Sequence, residues 1–431
     1  MEITQEKAGI RWVHDKLFYL FATLTFVYAL CMPDRNELFA GYLRILTTET
    51  HLTHDFFAVG GLSATYLNVA THFLVAALQV KHRKEGVYSG LQLAGVGIFS
   101  GHAFFGTHIV NMIPLMLGVF LYSHWIHQSF RYHTVVALFS ASLSPVISYI
   151  LFHHGISTYS VIIAIVAGLA LGFIAVPLSE HFVAFHQGFT LYNFGFTAGI
   201  IAMFSVLFIN YLHQGILPEQ ILSSHGHHFA VIYVLILLLI KFILAFSDIK
   251  EIKDNYKDLL KDSGRSPADF TNSFGMSTTM FNMALMGLIY LFIILMTGFP
   301  INGPIIGGLF SVIGFSAFGK HPKNTLPIAL GVTLGAYYHS EHALSAQNYI
   351  MPLLFGTGLA PLSGYFGFIS GIIAGFLQYN LANTVLMLHL GMNLYNNGFT
   401  SGFVAGFLVP IYDSIIERPI AHLKQRKKQK R

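Results

Sequence analysis

Apolar stretches alternate with short polar breaks along almost the whole chain. A first stretch covers residues 17–32. Six follow at 57–79, 87–104, 107–123, 133–152, 158–178 and 195–213, then one at 229–247. Six more lie at 277–297, 302–318, 324–340, 350–366, 367–382 and 398–412. Runs such as FAVIYVLILLLIKFILAFS at 229–247 are long enough to cross a hydrocarbon core of about 30 Å. They are apolar throughout rather than alternating with period two, which predicts α-helices and excludes a β-barrel. The pattern predicts an all-α polytopic transmembrane protein of roughly 12–14 membrane segments, with broken or re-entrant helices among the shorter ones.

The pattern also repeats. Residues 186–199 read HQGFTLYNFGFTAG and residues 389–402 read HLGMNLYNNGFTSG. A second pair, GHAFFGTHIVNMIPLMLGV at 101–119 and GFSAFGKHPKNTLPIALGV at 314–332, shares Gly, Phe, His, Asn and Pro in register. A third pairs LSP at 143–145 with LAP at 359–361. The order is constant and the offsets drift little, which indicates one duplicated unit. The predicted organisation is an N-terminal span and polar loop (1–55), transmembrane repeat A (56–213), a linker helix and charged cytoplasmic loop (214–275), repeat B (276–412) and a basic tail (413–431).

Composition agrees: 54% of residues are hydrophobic and 10% charged, against about 25% charged in a soluble domain. The net charge of +5 comes largely from the tail, which suits anionic lipid and not nucleic acid. One cysteine, Cys31, excludes an internal disulfide and a cysteine-based zinc site. The N-terminus carries Glu2, Glu6, Lys7 and Arg11 and no cleavage pattern, so it is expected to stay attached and cytoplasmic, as is the C-terminus. With both ends inside, the 80–86 loop (Lys81, Arg83, Lys84), Arg131, and Lys320 with Lys323 all fall inside. Their counterparts at 105–108, at GFPING (298–303) and around Glu341 and His342 lack Lys and Arg and fall outside or bare. Basic residues that switch repeats in this way predict two units inserted upside down relative to each other, with the helix at 229–247 supplying the change of parity. Lys241 in that helix is expected to snorkel. Gly-rich helices make a homo-oligomer an expectation.

The chemistry is concentrated in the duplicated phrases. A Tyr-Asn-x-Gly break between apolar pieces predicts discontinuous helices over 180–195 and 383–398, whose freed backbone groups line a protein-enclosed cavity. Tyr192, Asn193, His186, His389, Asn393, Tyr395, Asn396 and Asn397 are expected to line a midplane site for a small polar solute. His108, Asn111, His321 and Asn324 mark a second pair of breaks ahead of Pro114 and Pro327. Their bland reading is as satisfied buried histidines and helix caps; symmetric placement favours a pathway role. Glu180, the sole carboxylate between Gly86 and Pro218, is either a membrane-embedded coupling group or a water-facing residue at the end of 158–178. Histidines at 153–154 and in SHGHH (224–228) raise metal capture without supporting cysteines or carboxylates. No catalytic triad, zinc-protease, phosphate-loop or dinucleotide motif occurs, and neither a cofactor nor a resident metal is called for.

The phrases FGTGLAPLSGYFGFISGIIAGF (355–376) and HLGMNLYNNGFTSGFVAG (389–406), with LGV after FG-x-H-x-x-N-x-x-P, resemble a bacterial polytopic membrane family known as domain of unknown function 1576. The resemblance spans most of residues 50–415 and implies a bacterial inner-membrane location and a fold, not a substrate. The paired Tyr-Asn-x-Gly phrases are also similar to elements of urea channels. The reading is a membrane transporter or channel between two inverted repeats; the alternative is a membrane-embedded enzyme or metal-handling protein using the buried histidines.

Overall fold

The computed structural model describes residues 16–80, 88–212, 221–338 and 346–417. The expected Lys81–Lys84 charge, the Glu341–His342 segment, the basic tail beyond Glu417 and the N-terminal charges lie outside the described residues. Among the described residues every regular element is helical. The chain is an all-α membrane protein.

The helices fall into two successive sets that correspond one to one. In the first set α1 is Leu17–Leu30, α2 Leu38–Thr47, α3 Phe56–Val59, α4 Leu62–Gln79 and α5 Gly90–His102. It continues with α6 Ile109–Trp125, α7 Thr134–Ser140, α8 Ser144–Phe152, α9 Thr158–His186 and α10 Asn193–Leu212. In the second set α11 is His227–Ala245, α12 Ile249–Leu259, α13 Phe270–Phe274, α14 Met276–Met296 and α15 Gly303–Phe315. It ends with α16 Pro322–Tyr338, α17 Ala346–Gly356, α18 Ala360–Phe366, α19 Phe368–His389 and α20 Asn396–Tyr412. The correspondence of helices extends upstream of residues 56 and 276: the 229–247 helix is α11, which packs on α14 as α1 packs on α4.

Five stretches among the described residues are long and apolar enough to cross a membrane: Thr134–Phe152, Thr158–His186, His227–Leu259, Met276–Met296 and Phe368–His389. A sixth would join Leu17–Leu30 to Arg35–Thr47, but the pair bends by 109°. The other apolar helices, such as Ile109–Trp125 and Gly303–Phe315, are shorter. Hydropathy alone anticipated more full spans because it cannot see where an apolar run turns. Exposed Ile162, Ile165, Val166, Leu239 and Phe292 put α9, α11 and α14 against lipid.

Contacts repeat along with the helices. α6 crosses α9 so closely that a Cβ on Gly172 would lie 2.0 Å from the Leu115 carbonyl oxygen, and a Cβ on Gly375 of α19 would lie 2.0 Å from that of Ile328 in α16. Asn68 of α4 donates to the Ala103 and Thr107 carbonyls at 2.8 Å each, and Asn282 of α14 donates to those of Ser316 and Lys320 at 2.7 and 2.8 Å. These amides absorb carbonyls freed where α5 and α15 end, which would be costly unpaired in an apolar interior.

The two sets also grip each other reciprocally. Asp55 of the first caps α3 through Phe57 N and reaches across to Gly303 N, at the start of α15, at 3.1 Å. Asp269 of the second caps α13 through Asn272 N and reaches across to Gly90 N, at the start of α5, at 2.9 Å. Phe56 N bonds the Phe104 carbonyl, and Phe270 N bonds that of Ala317. Each of these contacts from one set to the other is returned by the equivalent residues. Gly97 lies against Gly314 and Gly101 against Gly307, so α5 and α15 pack antiparallel.

Candidate functional site

The two duplicated phrases sit at the centre of this arrangement. α9 runs uninterrupted past Pro177 and Glu180 to His186, and α19 runs to His389, so each break is shorter than the sequence suggested. Both helices end the same way. Gln187 and Leu390 are left-handed at φ 52° and 47°, and Gly188 and Gly391 follow at 77° and 75°. This is the usual αL termination, which returns the chain toward the helix it has left. α10 and α20 then start at the Asn of each phrase.

Most of the named polar residues hold this break together. His186 Nε2 donates to Asn193 Oδ1 at 2.9 Å, and His389 Nδ1 donates to Asn396 Oδ1 at 2.6 Å. Asn193 Nδ2 donates in turn to the Ser179 carbonyl. Thr190 Oγ1 and Asn393 Oδ1 play one part, each accepting from the backbone N–H two residues on. The Asn397 carbonyl accepts from Gln378 Nε2. The breaks reach across reciprocally as well: Leu191 N bonds the Gly358 carbonyl, and Leu394 N bonds the Ser142 carbonyl. The residue just before LAP thus cradles the first break, and the residue just before LSP the second.

The structure brings Tyr192 and Tyr395 together, with ring centroids 4.8 Å apart, and places Gly195 of α10 against Gly398 of α20. It keeps the second pair apart from this point. His108 N and His321 N each donate to the side chain of the Asn three residues on, at 2.9 Å in both cases. Asn111 and Asn324 also donate to the carbonyls of Gly106 and Gly319. They fix the starts of α6 and α16; Pro114 and Pro327 lie inside those helices without breaking them. His321 Nε2 donates to the Asp262 carbonyl, while both ring nitrogens of His108 are buried without a partner. Glu180 is exposed on α9 and has no place in the central cluster.

Two cavities approach the breaks, and they too are equivalent. One, of about 730 Å³, is lined by Arg131, Tyr132, Val135, Phe139, Ser179, Leu191, Asn193, Phe194, Ser266 and Phe318 among others. The other, of about 30 Å³, is lined by Leu52, Thr53, Asn348, Met351, Pro352, Ala382, Asn383, Leu386, Asn396 and Asn397. Position by position, Tyr132 answers to Asn348, Val135 to Met351, Ser179 to Ala382, Asn193 to Asn396 and Ser266 to Leu52. Leu52 N bonds the Gly391 carbonyl and Ser266 N bonds that of Gly188, so the rims are built alike. Beside the narrow one, Glu49 takes His51 Nε2 at 2.8 Å and His153 Nδ1 at 2.9 Å. Burial raises the Glu49 carboxyl, but the hydrogen bonds and charges of the two histidines outweigh it and hold it below the usual carboxylate value.

A family model described as a protein of unknown function, DUF1576, matches residues 34–211 and 248–414. The chain belongs to this DUF1576 family. The matched segments open at equivalent points, Asp34 and Asp248, and leave α11 between them unmatched. No curated protein and no solved structure matches the chain.

Sequence reasoning missed Lys320. It was read as a cytoplasmic loop charge, yet its relative exposure is 0%. Its ammonium donates to the Tyr192 hydroxyl and lies over the Tyr192 and Phe315 rings at 4.5 and 5.1 Å. The Tyr192 hydroxyl is 2.8 Å from Ser311 Oγ. Thr107 occupies the equivalent place in the first set. The available signal was a charged residue inside a duplicated apolar phrase. Lys241 also departs from expectation: it is buried, with Nζ 4.7 Å from the Phe21 ring centroid, instead of snorkelling. Among the described residues no three His, Cys, Asp or Glu side chains converge as a metal site.

Proposed function

We propose that this DUF1576 protein is a transporter for a small polar solute, which reaches the meeting point of the two breaks from one side of the membrane at a time. The observation that carries the reading is the inequality of two equivalent cavities, about 730 Å³ against about 30 Å³, each of which ends at one of the two His–Asn turns, the first at Asn193 and the second at Asn396. A channel would hold both open. Exchanging the conformations of the two sets would close the first and open the second, at small cost because each set already adopts the other's contacts. In this reading the sets enter the membrane in opposite orientations, which the antiparallel α5–α15 contact supports. In this reading the wide cavity faces the cytoplasm of a bacterial inner membrane, an orientation that the basic Arg131 and the charged 248–275 segment support.

The test is solute entry into proteoliposomes holding the full chain, against protein-free liposomes. Entry that saturates with concentration, and that Asn193→Ala combined with Asn396→Ala abolishes in a folded protein, is the expected result. Entry unaffected by that double substitution rejects the reading. For the alternative of an embedded enzyme or metal handler, the histidines of the two breaks and of the second pair are engaged at helix ends or lie apart from other ligating side chains, and among the described residues no three His, Cys, Asp or Glu side chains converge.

A further inference from the structure

We infer that the solute is a small organic anion of the carboxylate type, and that Lys320 is the group that meets its charge. The inference rests on the transport reading and names its substrate class.

Lys320 is fully buried at the interface of the two sets, and no carboxylate pairs with it among the described residues. Among the described residues its ammonium bonds a neutral phenol, and the Tyr192 hydroxyl is in turn bonded to Ser311 Oγ. An ammonium so placed is strongly unfavourable; it keeps its proton only when an anion joins it, and otherwise rests as the neutral amine. Two aromatic faces stabilise the cation without neutralising it.

The position relative to the wide cavity is the second observation. Leu191 and Asn193, either side of Tyr192, line its floor, as does Phe318, two residues before Lys320. Lys320 is not itself in the lining; it is tied to it along the chain through Phe318 and by its bond to Tyr192, whose two neighbours are lining residues. The lining includes one cation, Arg131, and no Asp or Glu among the described residues. A lining with one cation and the apolar side chains of Val135, Phe139 and Phe194, with a second cation two residues from lining Phe318, suits a single negative charge on a small apolar body. The other half of the pathway lacks this charge: Thr107 stands for Lys320 and Ile98 for Ser311. One cation at the centre, not two, fits one monoanion at a time.

The test compares acids with their isosteric amides, lactate with lactamide and glycolate with glycolamide, at a pH where the acids are ionised. The full chain in proteoliposomes is measured as wild type, Lys320→Gln and Lys320→Arg. The expected result is that the acids enter faster than the amides, that Lys320→Gln slows them by about tenfold or more, and that Lys320→Arg retains part of the rate. The melting temperature of Lys320→Gln in carboxylate-free buffer should equal or exceed that of wild type, because a buried lysine without a carboxylate partner has been removed. A lower melting temperature marks Lys320 as structural and overturns the inference. Amides entering as fast as acids, and equally in Lys320→Gln, overturns it while leaving transport intact. No entry of any of the four overturns the transport reading and the inference with it.

Discussion

The cavity beside α10 and its counterpart beside α20 are built from matching positions, yet one is open and the other nearly shut. Small substitutions account for much of the difference. Val135 faces the wide cavity where buried Met351 fills the narrow one, and Ser266 takes the place of Leu52. The rims differ as well. Asp55, on the narrow side, is fully buried and also binds Ser223 N, at 3.0 Å; Asp269, beside the wide cavity, is half-buried. Duplication thus supplied one architecture, and side-chain volume and rim hydrogen bonding set which copy opens.

The strongest way to break the comparison is at these carboxylates. Asp55→Ala leaves the N–H groups of Phe57, Ser223 and Gly303 without their acceptor and should destabilise the protein by about 3–5 kcal/mol. Asp269→Ala should cost about 1–2 kcal/mol less, since its surroundings admit water. Thermal unfolding in detergent measures both, and equal losses would remove the asymmetry.

A smaller effect separates the two cradles. A Cβ on Gly358 would lie 2.2 Å from the Tyr192 ring, whereas Ser142 already occupies the matching place. Gly358→Ala should therefore cost about 1–3 kcal/mol, and Ser142→Gly less than about 1 kcal/mol. Reversal of that order would show the cradles to be interchangeable.

In a Cys31→Ser background, Val135→Cys and Met351→Cys compare the cavities directly. A maleimide should modify the first faster, by on the order of tenfold, because the second must wait for local opening. Equal rates would place both cavities in exchange with solvent. Smallest of all is Glu180→Gln: the side chain is exposed, so stability should move by less than about 0.5 kcal/mol and uptake should persist. A loss of uptake alone would restore Glu180 as a coupling group.

Much was legible from the chain itself. Apolar periodicity marked nearly all the helices, and the duplicated phrases marked the two breaks to within a few residues. His-x-Gly ahead of Tyr-Asn encoded a local event, a left-handed helix end followed by a new start, and local events can be read from neighbours in sequence. The number of full spans was less legible, because a 109° bend between two apolar helices leaves no trace in hydropathy. The helices Leu38–Thr47 and Ile249–Leu259 were read as polar and charged loops, because their mixed composition carries no long apolar run.

The sequence by itself therefore determined a helical membrane protein, its duplication and the chemistry of its turns. Only the tertiary structure decided that Asp55 and Asp269 each cap a helix of the other set, that one cavity is the larger, and that Lys320 lies buried against Tyr192. Those facts depend on contacts between residues more than a hundred positions apart. A charge in a short connection looks the same in sequence whether the connection faces water or folds inward. What settles its environment is the packing of the other repeat around it.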